Sequence, residues 1–330
     1  MRILLLLILL SAVVSPALAQ DSVSPVVAQR MLRMIERYDQ EPEQLLEAFD
    51  NLANSRGIRD NDRGFVRREQ AALLIREERM DEARELLRET LDGQEPDYVP
   101  SLRILLAQLE LMAGNSDAAL PHLEIWSQYV TEPHPQELVL LGYAYLQLER
   151  FADASAVFER VIELSDIVNE QWYELLAYAY TQSGRTDDAI ALLDQRIEVN
   201  PGDARWWRQL SNIYLLLEQY DAGAASLAIA DVVSSLSYEE SRRLAGLFSM
   251  LNMPADAAGI MASAFQRFPA QRSYEDQMLL GELWMLAREL DRAIGAFEVA
   301  STLGEDGEAA LKIGQLQLQW ERYEEARDAL

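Results

Sequence analysis

A small residue pairs with another small residue twelve positions later, and the pair recurs about every 35 positions along the chain. The pairs are Ala71/Ala83, Ala107/Ala119, Gly142/Ala154, Ala177/Ala189, Ser211/Gly223, Ala245/Ala257, Gly281/Ala293 and Gly314/Ala326. A period of this length marks stacked modules, because one such module cannot hide its apolar face alone and must be covered by its neighbours. The clearest module runs from Pro135 to about Asn169. Leu138, Leu141, Gly142 and Tyr145 form one helical stripe; Phe151, Ala154, Phe158, Val161 and Leu164 form a second. The small residues fall where the two helices must touch. The expected fold class is therefore all-α, a helix–turn–helix array.

Three positions after the first small residue, Tyr145, Tyr180, Tyr214, Phe248 and Trp284 supply an aromatic in five successive modules. Leu74 substitutes in the first module, whereas Glu110 and Gln317 depart from the pattern. A closing proline appears as Pro201 and Pro269, with Pro96 and Pro133 slightly displaced. With these residues the chain resembles the tetratricopeptide repeat (TPR) proteins over roughly Gly64 to Leu330. The resemblance implies an α-solenoid wound as a right-handed superhelix of about eight units. They lie near 64–99, 100–134, 135–169, 170–203, 204–237, 238–273, 274–306 and 307–330, the last incomplete.

Ahead of the array, Met1 to Ala19 has the organisation of a signal peptide. Arg2 gives a positive start, Ile3 to Val14 an apolar run, and Ala17-Leu18-Ala19 a small-residue cleavage site. The run is short for a bilayer span, so cleavage after Ala19 and no stable membrane insertion are expected. The sequence has no cysteine, which excludes a lipid-anchored cysteine and disulfide dependence. The absence of an Asn-x-Ser/Thr sequon fits a bacterial periplasm. Residues 20–63 read as a helical cap and polar connection: Val27, Met31, Met34 and Ile35 make one stripe, and Leu45, Leu46, Phe49 and Leu52 another. Pro42 suits the opening turn of the second helix, and Ser55 to Gly64 reads as a flexible joint. At the other end Tyr323, Ala326 and Leu330 remain on the packing stripe, so the chain is expected to continue or to be covered by a partner or second copy.

The formal charge is −26, from 55 acids against 29 bases. That disfavours nucleic acid and anionic membrane, both of which need clustered cations; the acidic excess either keeps a long exposed surface soluble or steers partners with basic patches toward it. Asp81, Asp117, Asp187, Asp221, Asp291 and Glu324 recur just before the second small residue, with Asp153 and Asp256 one place later; they read as helix caps. His122 and His134 are the only histidines, and neither belongs to a metal-ligand spacing. His134, between two prolines, reads as an exposed turn residue. No phosphate loop, nucleophile elbow or serine–lysine motif occurs. The chain is expected to hold no cofactor or metal and to be no enzyme.

The TPR resemblance implies a concave groove lined by the first helix of each unit. The matching positions are Arg68, Arg76, Gln108, Gln136, Tyr143, Gln147, Gln171, Glu174, Tyr178 and Gln182, then Arg205, Arg208, Asn212, Glu239, Arg242, Met250, Glu275, Met278 and Glu282. Arg208 with Asn212 resembles half of a carboxylate clamp, but Arg243 stands where the other Asn belongs; the arginines are expected to pair with neighbouring acids instead. Trp207 takes a core position, and Trp206 is expected to be partly exposed as a contact residue. The resulting expectation is a periplasmic scaffold that binds protein or peptide segments, basic ones included, and assembles an envelope complex. It looks similar to soluble TPR proteins that accompany TonB/ExbB-type energy transducers. A scaffold for polysaccharide export or outer-membrane assembly, and a structural solenoid that self-associates through an open carboxyl face, stay open as alternatives.

Overall fold

The computed structural model describes residues 23–38, 40–94, 98–304 and 307–319. The leader expected at 1–19, Pro96, and the carboxyl-terminal residues Tyr323, Glu324, Ala326 and Leu330 lie outside these. The chain divides into two compact units, Met1–Ala189 and Ile190–Leu330. In the first, α1 (Pro25–Arg37) and α2 (Pro42–Ala53) precede the repeat helices α3 (Asp60–Arg76), α4 (Met80–Leu91), α5 (Pro100–Met112), α6 (Ser116–Tyr129), α7 (Pro135–Gln147), α8 (Phe151–Glu163) and α9 (Glu170–Gln182). Helix α10 (Thr186–Val199) carries the division. The second unit continues with α11 (Ala204–Leu216), α12 (Tyr220–Val233), α13 (Tyr238–Met250), α14 (Pro254–Arg267), α15 (Tyr274–Leu286), α16 (Leu290–Leu303) and α17 (Glu308–Gln319). Within each unit, each helix packs on the next along the chain, the packing of an α-solenoid.

The recurrent small residues sit at the closest approach of paired helices. Ala71, Ala83, Ala107, Ala119, Ala154, Ala257 and Ala293 are wholly buried. The pair Ser211/Gly223 touches directly: the Ser211 hydroxyl donates to the Gly223 carbonyl at 2.8 Å. At Gly142 a β-carbon would stand 2.7 Å from the Phe158 ring of α8, so the aromatic lies flat against bare backbone. Phe297 of α16 covers Gly281 of α15 in the same way. Gly314 is buried, while its partner Ala326 is outside the described residues.

Helices α3, α5, α7, α9, α11, α13 and α15 each end in a left-handed residue, followed by an N–H bond back to the aromatic-slot carbonyl, as in Arg79 to Leu74, Arg150 to Tyr145 and Met253 to Phe248, at 2.8–2.9 Å. One residue thereby ends the first helix and also flanks the start of the second. That arrangement corrects the capping expectation. The flanking residues Arg79, Asn115, Arg150, Gln219, Met253 and Glu289 make no side-chain cap bond, and the recurrent acids sit inside the first turn, facing the helix dipole. Side-chain caps occur instead at the starts of the first helices α9, α11, α13 and α15. Asn169, Asp203, Ser237 and Ser273 each accept from a backbone N–H at 3.0–3.2 Å.

Polar locks join successive repeats of the first unit. The Tyr145 hydroxyl donates to Glu124 of the preceding repeat at 3.0 Å. Arg150 donates to the same carboxylate at 3.1 Å, binds Asp153 at 2.7 Å, and lies 4.5 Å from the Tyr145 ring centre. One repeat later, Tyr180, Glu159, Arg185 and Asp188 reproduce the set. Glu110, the departure from the aromatic slot, is buried beneath Arg88 at 2.5 Å and accepts from Asn115 at 3.0 Å. Its charge is tolerated there because it is paired.

Two further expectations change. The joint at Ser55–Gly64 is partly helical, since α3 begins at Asp60. Buried Asp62 accepts from the Ser24 N–H and hydroxyl and from Arg59 at 2.6–3.0 Å, tying α1 down; the Arg59 bond in particular lowers the Asp62 pKa. His134 is the residue flanking the start of α7 and is half-buried, not an exposed turn residue.

Gly142→Ala is expected to destabilise the fold by about 1–3 kcal/mol, read by urea unfolding, because its methyl group meets the Phe158 ring. Burial, then the Glu124 and Glu159 carboxylates, push Tyr145 and Tyr180 up to about 12. Both are stabilised in the neutral form, so their contribution is intact below the usual tyrosine pKa of about 10 and is lost as pH climbs towards 12. Absorbance titration at 295 nm should show a late alkaline step that shrinks in Tyr145→Phe and Tyr180→Phe.

Candidate partner-binding surface

The first helices of successive repeats place their outward side chains side by side. In the first unit α7 and α9 are joined by Gln171, which donates to the Tyr143 hydroxyl at 3.5 Å. Tyr143 is buried, and burial raises its pKa, so it supports the face from beneath. Tyr178 stands half-exposed, edge-on to Phe151 with ring centres 5.9 Å apart. Gln147 and Gln182 are exposed at the ends of α7 and α9, and Glu174 is half-buried on α9. The expected groove residues here thus form a polar surface with one prominent aromatic.

In the second unit the arginines are held by acids, as their surroundings in the sequence suggested. Arg208 donates to Glu240 at 2.9 Å and to the Ser234 carbonyl at 3.1 Å. Arg242 donates to Asp276 at 2.8 Å, and the Tyr238 hydroxyl donates to the same carboxylate at 2.5 Å. Arg205 grips Asp203 at 2.6 Å. Asn212 accepts from Arg243 at 3.1 Å, so the Arg208–Asn212 half-clamp is closed by its own neighbour.

Trp206 corrects its expectation. It is only 1% exposed, fully inside the core, while Trp207 is half-buried and donates its indole N–H to the Pro201 carbonyl at 3.0 Å. The two stand four and three residues before Leu210, spacings that both fit a helical stripe, and the core takes the first of them with Leu210 and Ile213. Met278, read as a groove residue, is also buried.

Met250, expected in the groove, belongs to an apolar row whose other members, Leu216 and Leu286, the sequence reading does not include. Leu216 on α11, Met250 on α13 and Leu286 on α15 are 63%, 64% and 63% exposed. All three stand five positions after the first small residue of their repeats, whereas the first unit has Arg76, Gln147 and Gln182 at three of its matching positions. Reading that single position across all repeats would have revealed it. On the same first helices a pocket of about 520 Å³ opens between α13 and α15, lined by Glu239, Glu240, Arg242, Arg243, Gly246 and Leu279. At Gly246 a β-carbon would meet nothing within 4 Å, so the backbone lies open to an approaching chain. Neutral overall in charge and floored by Leu279, the pocket offers hydrogen bonding at its rim and apolar contact at its base. Among the described residues, no group of three or more His, Cys, Asp or Glu side chains is placed to hold a metal ion.

Sequence models of the tetratricopeptide repeat match residues 104–167 and 145–213. Comparison with curated proteins finds no match. Among solved structures, the C-terminal part of a TPR repeat-containing protein from Cytophaga hutchinsonii aligns over 73% of this chain and 97% of its own, at 14% identity and a TM-score of 0.55. A tetratricopeptide repeat protein from Parabacteroides merdae aligns over 76% and 96%, at 16% identity and a TM-score of 0.46. MamA from Desulfovibrio magneticus RS-1 aligns over 53% and 97%, at 20% identity and a TM-score of 0.44. At these identities only the helical-repeat fold is shared, and the first of the three carries that likeness.

Trp206→Ala is expected to cost about 3–5 kcal/mol in unfolding free energy. The same measurement on Leu216→Ala should stay within about 0.5 kcal/mol of the unaltered protein.

Proposed function

We propose that this chain, which carries tetratricopeptide repeats across residues 104–213, is a non-catalytic scaffold that binds protein segments on the first-helix face of its second unit. The observation that carries the reading is the apolar row of Leu216, Met250 and Leu286, mostly exposed at one repeat position, with the pocket at Arg243 and Leu279 on the same helices. Exposed apolar side chains in register are what a partner segment covers, and the surrounding polar groups fix its path. Arg242 lines the pocket, and Arg208 reaches its edge only through Glu240.

The setting proposed is the bacterial periplasm, where the scaffold helps to assemble a cell-envelope complex. Support comes from the leader-like residues 1–19, the lack of cysteine and the acidic composition. A link to TonB-type energy transduction rests on the same features together with the repeat architecture.

The test is affinity capture from a periplasmic extract with the mature chain and with the triple variant Leu216→Glu, Met250→Glu, Leu286→Glu. Because all three side chains are exposed, the variant should fold normally by circular dichroism. Partners captured by the parent and lost by the variant are expected; an unchanged capture profile would overturn the proposed face. Fractionation of producing cells, with sequencing of the mature amino terminus, should find the protein in the periplasm beginning at Gln20.

A further inference from the structure

A second surface lies in the first unit and is built from the helices that do not carry the proposed binding face. Helix α3 packs between α2 and α4, and over its Gln70 and Leu74 the two flanking helices leave a groove of about 650 Å³. The apolar floor is half-buried Leu86 together with the exposed edges of the core residues Leu46 and Leu74. Glu43, Glu47 and Asp50 follow one another at helical spacing along the α2 wall, and Glu82, Glu85 and Glu89 do the same along α4. Each row runs about 10 Å.

The charge within this groove is strongly one-sided. Six carboxylates line it against one guanidinium, that of Arg79. Arg79 is already occupied, with Glu43 and Glu82 each at 2.6 Å. Asp50 is held from outside the groove by Arg67 at 2.6 Å, and Glu85 reaches Arg88 only at 3.5 Å. Glu47 and Glu89, one on each wall, have no cation within ion-pair distance among the described residues. A row of acids on a single exposed helix face would simply be solvated. Here two rows face each other across a leucine floor, so the potentials of both walls add between them while the floor admits an apolar side chain.

We infer that this groove holds a basic segment of a partner protein. Several Lys or Arg residues of that segment lie between the carboxylate rows, and at least one apolar side chain rests on the leucine floor. The surface is separate from the apolar row of the second unit, so the chain would engage two segments of different chemistry: an apolar one there and a cationic one here. Complementary charge would speed capture of the cationic segment and make it sensitive to salt.

The test uses the full mature chain and a fluorescein-labelled peptide of about 12 residues built from Lys-Lys-Leu repeats, followed by fluorescence anisotropy. Saturable binding is expected, weakening as salt is raised. The double variant Glu47→Lys, Glu89→Lys should weaken it at least about tenfold, or roughly 1.4 kcal/mol, with Glu47→Gln, Glu89→Gln giving a smaller loss in the same direction. The triple variant of the second-unit row should bind the peptide like the parent, which keeps this groove's outcome distinct from that of the proposed face. Unchanged affinity in both groove variants would overturn the proposal. So would equal binding of a Lys-Lys-Gly peptide, or equal competition by spermine, because either would show an acidic surface that ignores the leucine floor.

Discussion

Everything in this protein depends on how closely two helices of a repeat can approach. A residue with no side chain, or only a methyl or hydroxymethyl group, lets the partner helix set a phenyl ring or its own backbone against the helix surface. Phe158 over Gly142 and the Ser211 hydroxyl on the Gly223 carbonyl are two versions of that contact. Close approach buries the apolar stripes of both helices and leaves the opposite face of the first helix exposed. Tight packing of this kind leaves little slack, so a single added methyl group is felt.

The turn between paired helices follows from the same geometry. With so little room between helix ends, one residue closes the first helix through its bond to the aromatic-slot carbonyl and at once flanks the second. Only Gly114 and Gly184 among these left-handed positions are glycine; Glu78, Glu149, Glu218, Asn252 and Arg288 adopt the conformation without it. In the first unit the following residue is twice an arginine that also reaches the preceding repeat through Glu124 or Glu159. Helix closure through the backbone N–H and repeat-to-repeat attachment through the guanidinium are thus carried by the same residue, Arg150 or Arg185, which couples local structure to stacking.

This explains how much could be read beforehand. Period, helix pairing and burial of the small residues were legible, because each depends on residue size at one spacing. Five of the helix ends were hidden, since the left-handed residues there are not the glycines a turn advertises. The acids before the second small residue were visible, but their role was misread. Capping depends on which residue flanks the helix, and the shared turn residue had already taken that place. Trp206 and Trp207 were hard to order because they stand four and three residues before the core residue Leu210, and both spacings fit the edge of a helical stripe. On the first-helix face of the second unit the arginines and their acidic partners were anticipated in kind, and Met250 was too, whereas Leu216 and Leu286, which complete its row, were not. The row becomes visible only when a position is compared between repeats instead of along one helix.

The close-approach origin of the fold is tested most directly by a double-mutant cycle on Gly281→Ala and Phe297→Leu, measured by urea unfolding. Phe297 stands against the site where the new methyl group would go. The penalty of the alanine should therefore be largely relieved once the ring is replaced, giving a coupling of about 1 kcal/mol or more. Additive effects would show that the glycine is required for some other reason and would contradict the helix-to-helix contact as the constraint on which the repeats are built.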